Sequence, residues 1–471
     1  RFAVRSSQVA VRMRSAKGGK PASAAVVSRG VPAAAVAIAR GDFLLVAAGA
    51  GFSHDSGLPV YKDIARVAAY EEKGLSYGDL CREVWFHKED PEVAFGFWGE
   101  SYNLYKDTNP HKGYTILKQW IATRFSPKDD DVRKGSANRT EQRDWFVYTS
   151  NVDGHFRRAG FNIDQVCEIH GSVDFWQCSA RSGQCPAKDN QKKVYSPPVG
   201  FRFNIDRKSL LAKRDSKPLN TKGPIFNRNQ PQCPECRRSL RPNVMLFGDT
   251  NFVADEQSED RYVEWEERME LTLERKEHSS AVVLELGCGL RVPSVRIEVE
   301  TVARDTLKRC HKKSSLASSV LRRVPKIQVF RINLNEADEC ETKPNAFDVQ
   351  IEIKDETEVN EEKSNDASEC NKKPIEQTLL SRLGIIKGIK GKCLDTIEQI
   401  HKMLQRIEFS KFLSVFINSS RAINDLKGEF GIPDKDKFAE TLLSFLSYEE
   451  IFSLRKTCRA MKQRLQETSN H

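Results

Sequence analysis

Short apolar runs recur along the chain, and most of them are unbroken rather than alternating with polar positions. They lie at residues 43–48, 145–149, 166–169, 244–247, 281–286, 327–332 and 347–353, each bounded by Gly, Asn or Asp. Strands of a parallel sheet that is covered on both faces have this pattern. Apolar residues at helical spacing fill residues 63–80, 91–105 and 113–121, and residues 259–276 form a charged helical stretch. The order of these segments predicts an α/β fold with a mostly parallel sheet.

Other stretches interrupt this order of predicted strands and helices. Residues 126–143 are polar and predict an exposed loop, whereas residues 177–241 are irregular, rich in Pro, Lys and Arg, and contain four of the twelve cysteines. Residues 335–373 hold thirteen acidic and five basic residues, so we expect most of them to form a solvated linker. From residue 374 onward the pattern predicts helix, with an apolar stripe formed by Leu379, Leu383, Ile386, Leu394, Ile397, Ile400 and Leu404.

Composition is typical of a soluble globular protein, with 39% apolar and 30% charged residues among 471. The formal net charge of +10 is concentrated at the start, because residues 1–41 hold eight Lys or Arg and no Asp or Glu. The remainder is nearly neutral, so we expect no direct nucleic-acid partner. The best apolar stretch, residues 22–39, is interrupted by Ser28, Arg29, Gly30 and Pro32, and we expect no membrane span.

The leader, residues 1–40, is basic and rich in Ala. This composition is typical of an organelle transit peptide, and it fits a disordered basic tail equally well. The chain begins at Arg1 rather than at Met, so we expect any signal here to be incomplete. The first interpretation favours a mitochondrion or another organelle, and the second favours the cytoplasm or the nucleus.

Small residues follow the first predicted strand directly, at Gly49, Ala50, Gly51 and Ser53. Small side chains there allow backbone N–H groups to approach a pyrophosphate at the carboxyl edge of a parallel sheet. A tight turn explains a glycine pair equally well, and the spacing is not the full dinucleotide fingerprint.

Polar residues follow the next two predicted strands, with Asn151 and Asp153 after the second and His170 after the third. The carboxyl ends of parallel strands meet at one sheet edge, so these side chains should share a cleft. From the residues alone, His170 is either a general base that titrates near neutral pH or a structural histidine.

Taken in order, residues 49–59, 149–154, 168–172 and 241–249 resemble the sirtuin family of NAD-dependent protein lysine deacylases. The resemblance covers about residues 41–353, well over half of the chain. It implies a Rossmann-like, doubly wound parallel sheet with a smaller helical and zinc-binding module, followed by a C-terminal helical appendage.

The resemblance also implies roles for individual residues. His170 would deprotonate a ribose hydroxyl after the acyl oxygen has displaced nicotinamide, with Asn151 and Asp153 beside it in the nicotinamide pocket. Leu246, Phe247 and Gly248 would present an extended backbone edge to a substrate peptide by β-augmentation, although the stretch also fits a plain core strand. The NAD-binding residues would be Gly49, Ala50, Gly51, Ser53, Pro59, Tyr61, Lys62, Ser150, Asn151, Asp153, Gly287, Cys288, Gly289 and Asn333.

Several of these positions depart from the family pattern. Val60, Tyr61 and Lys62 stand where many members have Asp-Phe-Arg, and Ser150 stands where they have Gln. Lys62 keeps a positive charge but lacks the planar fork of arginine. The run Gly287, Cys288, Gly289 replaces Gly-Thr-Ser. We expect these changes to affect rate and acyl preference more than NAD binding.

Four cysteines have the spacing of a metal site. Cys233 and Cys236 form a C-x2-C pair, and six residues separate Cys178 from Cys185. Four thiolates close the tetrahedral shell of zinc, which predicts a structural zinc ion of the kind that sirtuins carry. A free surface thiol is the alternative for Cys185. The spacing typical of metal ligands is not found for Cys81, Cys167, Cys310, Cys340, Cys370, Cys393 and Cys458.

A second resemblance, to an F-box, lies at residues 430–466. Such a module docks on the Skp adaptor of a cullin ubiquitin ligase, although an ordinary amphipathic hairpin has the same spacing. The residues that carry it are Ile432, Pro433, Leu442, Leu443, Phe445, Leu446, Ile451, Leu454, Thr457, Cys458 and Arg459.

These features predict a sirtuin-like catalytic domain at residues 41–355, with a helical module at 63–125 and a zinc module at 176–241. An acidic linker at 356–374 and a helical region at 375–471 would follow it. The expected reaction transfers an acyl group from a lysine of a protein or peptide to ADP-ribose, consuming NAD and releasing nicotinamide. The alternatives are a catalytically weak NAD-binding scaffold and a mono-ADP-ribosyltransferase.

Overall fold

The fold is described by a computed structural model. It covers residues 30–59, 70, 72, 74–86, 91–126, 144–180, 184–185, 194–221, 223–312, 326–337, 380 and 385–419. Within these ranges, no helix is both long enough and apolar enough to cross a bilayer.

The strands of the described ranges form two sheets. They are β1 (Phe43–Ala48), β2 (Asp144–Thr149), β3 (Val166–Glu168), β4 (Gly171–Cys178), β5 (Val194–Tyr195), β6 (Leu240–Val244), β7 (Ala281–Leu286), β8 (Ile327–Asn333) and β9 (Ile386–Lys390). Six of these strands form a parallel sheet in the order β3-β2-β1-β7-β8-β9. The other three form an antiparallel sheet in the order β5-β4-β6.

Helices cover both faces of the parallel sheet. The described helices are α1 (Gly30–Arg40), α2 (Ala50–His54), α3 (Tyr77–Leu80), α4 (Pro91–Asp107), α5 (Lys112–Trp120), α6 (His155–Arg158), α7 (Glu256–Arg275), α8 (Ser294–Lys312) and α9 (Cys393–Ser419). Helices α1, α5 and α9 pack on one face, and α7 and α8 pack on the other. The large domain is therefore a doubly wound, Rossmann-like α/β fold.

The central strand β1 shows why these strands are apolar throughout. Leu44 and Val46 contribute to the core beneath α1, α5 and α9, whereas Leu45 and Ala47 contribute to the core beneath α7 and α8. Because successive strand residues point to opposite faces, a strand covered on both sides is apolar at most positions. The strand predictions at 43–48 and 281–286 are confirmed with the same bounds, and those at 145–149, 166–169 and 327–332 to within one residue.

A third apolar core joins α3 and α4 to the antiparallel sheet. The Phe95 ring stacks on Trp176 with centroids 6.0 Å apart, and Phe203 packs against both. Helix α4 and the cysteine-bearing segment therefore share one core. Helix α5, which we predicted within the helical module, packs on the large sheet instead.

The prediction of a strand at residues 244–247 is wrong. The strand there ends at Val244 and belongs to the antiparallel sheet, where Val244 pairs with Gly171. A turn follows, because the carboxylate of Asp249 accepts a hydrogen bond from the Leu246 N–H at 3.3 Å. Arg241 and Asp249 hold this turn through a fully buried ion pair of 2.7 Å.

The prediction of helix from residue 374 onward is wrong at residues 386–390 and correct for α9. Ile386–Lys390 is the edge strand β9, which pairs with β8, and α9 begins only at Cys393. Ile386 and Ile389 contribute to opposite faces of the sheet, and their spacing of three residues fits a helix as well as a strand. The carboxylate of Asp55 accepts a hydrogen bond of 2.8 Å from the Leu394 N–H and so caps α9.

The large domain is therefore longer than residues 41–355. Helix α1 contributes Val31, Ala34 and Ile38 to the core, so residues 30–40 of the predicted leader belong to the fold, as do β9 and α9. The predicted helix at residues 63–69 and the predicted strand at residues 347–353 fall outside the described residues. The same holds for the F-box-like segment and for the predicted loop at residues 126–143, apart from Ser126.

Four buried charged side chains connect β7, β8 and α8. The Arg331 guanidinium donates to Glu285 at 2.8 Å and to Glu300 at 2.9 Å, and Arg296 lies 3.3 Å from Glu285. All four side chains are at most 1% exposed. Two arginines balance two glutamates, so the loss of one partner leaves an uncompensated buried charge.

We expect Arg331→Met to lower the free energy of unfolding by about 3–5 kcal/mol, because Glu285 and Glu300 then lose their shared partner. Urea denaturation followed by circular dichroism measures this change. Lys308→Met is the matched control, since its ion pair with Asp305 is nearly half exposed and its loss should cost less than about 1 kcal/mol. Equal destabilisation by the two variants would contradict a special role for the buried cluster.

Candidate active site at the carboxyl edge of the sheet

Two loops touch at the carboxyl edge of the parallel sheet, one after β1 and one after β7. The Gly49 N–H donates to Leu286 O at 2.9 Å, and the Gly51 N–H donates to Gly287 O at 3.0 Å. Gly287 has a φ of +63°, and a Cβ there would lie 2.3 Å from the Phe52 nitrogen. Only glycine fits this position, because both the backbone conformation and the close contact exclude a side chain.

A buried polar cluster lies beside these loops. The Ser53 hydroxyl donates to the carboxylate of Asp153, and the Asn151 amide donates to Ser53 Oγ and to Gly49 O, each at 3.0 Å. Ser53, Asn151 and Asp153 are 5–6% exposed. The structure therefore brings together three residues that the sequence predicts on two separate loops.

The segment after β2 holds Asn151 and Asp153 in place. Thr149 Oγ1 donates to Ala48 O at 2.8 Å and accepts from the Asn151 N–H at 3.1 Å. The carboxylate of Asp153 also accepts the His155 N–H at 2.7 Å, at the start of α6. These bonds fix both side chains before any ligand binds, which is what a preorganised site requires.

His170 lies between β3 and β4, where the chain passes from the parallel sheet into the antiparallel one. Its carbonyl accepts the Met245 N–H at 3.0 Å. Burial lowers the pKa of the imidazole, and a hydrogen bond with the Ser150 backbone opposes that shift in part. The ring is therefore neutral at neutral pH and can accept a proton.

One cavity of about 320 Å³ joins His170 to the polar cluster. Its lining includes Ala50, Ser53, Pro59, Ser150, Asn151, Asp153 and His170 on the polar side. These seven residues, all predicted from the sequence as catalytic or NAD-binding, therefore face a single space. Tyr61 and Lys62 lie outside the described residues.

The Cys288 and Asn333 side chains, on the loops after β7 and β8, form hydrogen bonds within the protein. Cys288 is 3% exposed and its thiol is directed at the carbonyls of Ala47 and Leu286, so its side chain belongs to the core. The Asn333 amide donates to Cys288 O at 3.0 Å and its oxygen accepts the N–H groups of Asn335 and Glu336. Both residues shape the loop backbone, whereas a Cβ on Gly289 would make an ordinary contact of 3.6 Å with the Glu336 carboxylate.

The predicted substrate edge is not a free strand edge. The Phe247 N–H donates to Cys81 O at 3.0 Å, and the Leu246 N–H is bound by Asp249. Leu246 is buried, Phe247 is 53% exposed, and both line the cavity together with Gly248. In this structure, β-augmentation through these two N–H groups would require the turn to open.

Sequence reasoning missed two residues that position these loops. Arg296 Nη2 donates to Cys288 O at 2.8 Å and to Glu336 O at 3.0 Å. The His111 ring bonds Phe52 O through Nε2 and accepts the Gly113 N–H at Nδ1, both at 2.9 Å, which requires a neutral ring with its proton on Nε2. Neither residue belongs to a recognisable motif, so only the fold reveals these roles.

The four predicted cysteines cluster as a metal site. The sulfur atoms of Cys178 and Cys236 are 3.4 Å apart, those of Cys185 and Cys233 are 3.9 Å apart, and all four lie within 4.8 Å of one another. A tetrahedral zinc ion with Zn–S bonds of about 2.3 Å separates its sulfurs by about 3.8 Å. The donor set fits zinc, and its four ligands leave no open position for water.

This combination defines a class of protein, a Rossmann-like domain with a four-cysteine metal module and a histidine at the shared cleft. A model of the Sir2 family matches residues 49–267. Residues 49–267, a little less than half of the chain, are therefore similar to the Sir2, or sirtuin, family.

Curated relatives are similar at a low level of identity. The NAD-dependent protein deacylase of Candida albicans is 25% identical over 222 residues, which cover 44% of this chain and 65% of that protein. NAD-dependent protein deacylase 2 of Pseudomonas syringae is 26% identical over 215 residues, covering 45% and 66%. The mitochondrial NAD-dependent protein lipoamidase sirtuin-4 of Bos taurus is 24% identical, covering 44% and 58%. The chain thus spans slightly less than two thirds of these relatives.

Among solved structures, a chain from work on the structural basis of sirtuin substrate affinity is 17% identical. It covers 62% of this chain and 82% of its own length, with a TM-score of 0.34. Because this TM-score is low, the description of the fold rests on the strand order given above and not on the similarity to that chain.

We expect Cys233→Ser to remove bound zinc, because three thiolates hold the ion much less tightly than four. Elemental analysis of the purified protein should give about one zinc per chain in the wild type and a clear loss in the variant. Thermal unfolding should shift down with the metal. Cys310→Ser is the control, since Cys310 lies outside the cluster, and full zinc retention in Cys233→Ser would refute the site.

Proposed function

We propose that this protein is an NAD-dependent protein lysine deacylase that transfers the acyl group to ADP-ribose. One observation carries the proposal: a neutral, half-buried histidine and the Ser53, Asn151 and Asp153 cluster line the same cavity. The match to the Sir2 family and the deacylase activities for which its relatives are named support it.

The loops at the sheet edge fit a dinucleotide. Gly49, Ala50 and Gly51 have small or no side chains, so a pyrophosphate can approach the backbone directly after β1. Asn151 and Asp153 are suited to an amide ring and a ribose, because an amide and a carboxylate offer both donor and acceptor atoms. Bound NAD would supply a ribose carbon that accepts the acyl oxygen as nicotinamide leaves.

His170 is placed to move a proton. Its neutral ring can take the proton of a ribose hydroxyl and so make that oxygen nucleophilic. Leu58, Val244 and Leu246 line the cavity with apolar surface, which would strengthen the electrostatic effect of the nearby polar groups once a bound substrate displaces water. The first step needs aligned reactants more than a strong base, and the fixed polar cluster provides that alignment.

Two sequence expectations remain proposals about residues outside the described ranges. The F-box-like segment at residues 430–466 supports a contact with a Skp-type adaptor, and the acid-free leader supports import into an organelle. Neither bears on the chemistry of the cavity.

We expect the purified protein to release nicotinamide from NAD only when an acyl-lysine peptide is present, and His170→Ala to lower that rate by at least about 100-fold. Chromatography of nicotinamide and of the deacylated peptide measures both products. NAD binding by the variant, followed by calorimetry, is the control for folding. Peptide-independent release would favour NAD hydrolysis, and release without deacylated peptide would favour ADP-ribosyl transfer.

The pH dependence should follow the lowered pKa of His170. A base must be neutral, so the rate falls as the pH drops through the pKa of His170 in the folded protein. Because burial lowers that pKa, the acidic limb of kcat/KM should lie below about 6.5, the ordinary value. A profile between about pH 5 and pH 8 tests this, with His170→Gln as the variant that should lack the limb. A limb above the ordinary value would contradict the account.

A further inference from the structure

Two buried polar rings lie next to Asp153 without lining the cavity. They are Tyr114 on α5 and His155, the first residue of α6, and both are at most 1% exposed. The chemistry proposed for the cavity uses neither of them.

Three polar atoms of these rings have no hydrogen-bond partner within the described ranges. They are the Tyr114 hydroxyl oxygen and both ring nitrogens of His155. The segments that carry the two rings and their ring contacts, residues 91–126 and 144–180, are described without a gap. A buried polar atom without a partner is unfavourable and uncommon, so three of them at one place require a physical reason.

Ring contacts hold both side chains beside the loop after β1. Tyr114 packs edge-on against His155 with centroids 5.7 Å apart, and it packs against Phe52 at 4.5 Å and His111 at 4.9 Å. Phe52 directly precedes Ser53 on α2, and its carbonyl is bound by the His111 ring. The two rings therefore lie against the helix that carries Ser53.

The charge of Asp153 acts on both rings. Burial raises the pKa of Tyr114 and lowers the pKa of His155, and the Asp153 carboxylate adds to the first shift and opposes the second. Ser53 opposes the shift of Tyr114, so the hydroxyl lies close to Ser53 although the two form no well-aligned hydrogen bond. Both rings are neutral at neutral pH, and each carries one donor, the Tyr114 O–H and an N–H of His155.

Asp153 needs such donors because its carboxylate is buried. It accepts hydrogen bonds from the Ser53 hydroxyl and from the His155 backbone N–H. A carboxylate that has left water is stable only where donors replace its hydration. The Tyr114 hydroxyl and the His155 ring supply two further donors away from the cavity, and since electrostatic interaction is mutual, they stabilise the charge that acts on them.

We propose that Tyr114 and His155 are positioning residues for Asp153, whose buried carboxylate they stabilise and so fix at the wall of the cavity. The inference rests on the proposed deacylase function, in which Asp153 meets the amide ring or the ribose of NAD. A donor that is bonded to another acceptor would stabilise Asp153 less, so the missing partners fit this role.

A double-mutant cycle tests this coupling without NAD. The wild type, Tyr114→Phe, Asp153→Asn and the double variant are each unfolded in urea. The hydroxyl should stabilise the fold when the carboxylate is present and destabilise it when the carboxylate is absent. We expect the effect of Tyr114→Phe on the unfolding equilibrium constant to differ at least about fivefold between the two backgrounds. Additive effects would overturn the inference.

Thr306→Val is the matched control for the loss of an unpartnered hydroxyl. Thr306 is fully buried on α8, at the other face of the large sheet, and its Oγ1 also has no hydrogen-bond partner in the described part of the chain. Its effect on unfolding should be the same with and without Asp153→Asn. Coupling as strong as that of Tyr114→Phe would show that the position beside Asp153 is irrelevant, and the inference would fail.

Steady-state kinetics distinguishes positioning from a purely structural role. With an acyl-lysine peptide, Tyr114→Phe and His155→Phe should each raise KM for NAD about tenfold and change kcat by less than about threefold, because the rings act on binding through Asp153. Thr306→Val should change neither constant. An unchanged KM in both variants would overturn the inference and leave the deacylase function intact. If the wild type turns over no acyl peptide, the proposed function fails, and the unfolding cycle alone decides the inference.

Discussion

The close contact between the loops after β1 and β7 is the constraint on which the site depends. Gly51 and Gly287 lie so near each other that a side chain on Gly287 would meet backbone atoms of the first loop. This contact keeps the carboxyl edge of the sheet free of side chains where a dinucleotide would lie. It also fixes Gly49, whose carbonyl positions the Asn151 amide, so the geometry of the polar cluster follows from backbone packing.

Two kinds of buried polar group surround this contact. The charges of Glu285, Glu300, Arg296 and Arg331 neutralise one another beneath the loops, and Arg296 extends from that cluster to the carbonyl of Cys288. The Ser53, Asn151 and Asp153 cluster faces the cavity instead. The first group therefore holds the loop backbone in place, and the second presents ligand-binding atoms on a support that does not have to reorganise.

Much of the fold was predictable because burial on both faces favours a mostly apolar run, which is unbroken in β1 and interrupted only by Glu285 in β7. The edge strand β9 was not, since Ile386 and Ile389 are spaced equally well for a helix, and only pairing with β8 decides between the two. The stretch after Val244 was mistaken for strand because its apolar residues line a turn that Asp249 holds through an ion pair with Arg241. Such pairings depend on contacts that sequence spacing does not encode.

The site was predictable to a similar extent. Ser53, Asn151, Asp153 and His170 follow strand ends, and parallel strands bring such residues together, so their convergence follows from topology. The side-chain directions of Cys288 and Asn333 do not follow from topology, because they depend on which carbonyls lie nearby.

The most direct test of the central claim is mass spectrometry of the products formed from NAD and an acyl-lysine peptide. The account predicts that the acyl group is found on ADP-ribose, in a one-to-one ratio with the deacylated peptide. An acyl group released as the free acid would contradict it.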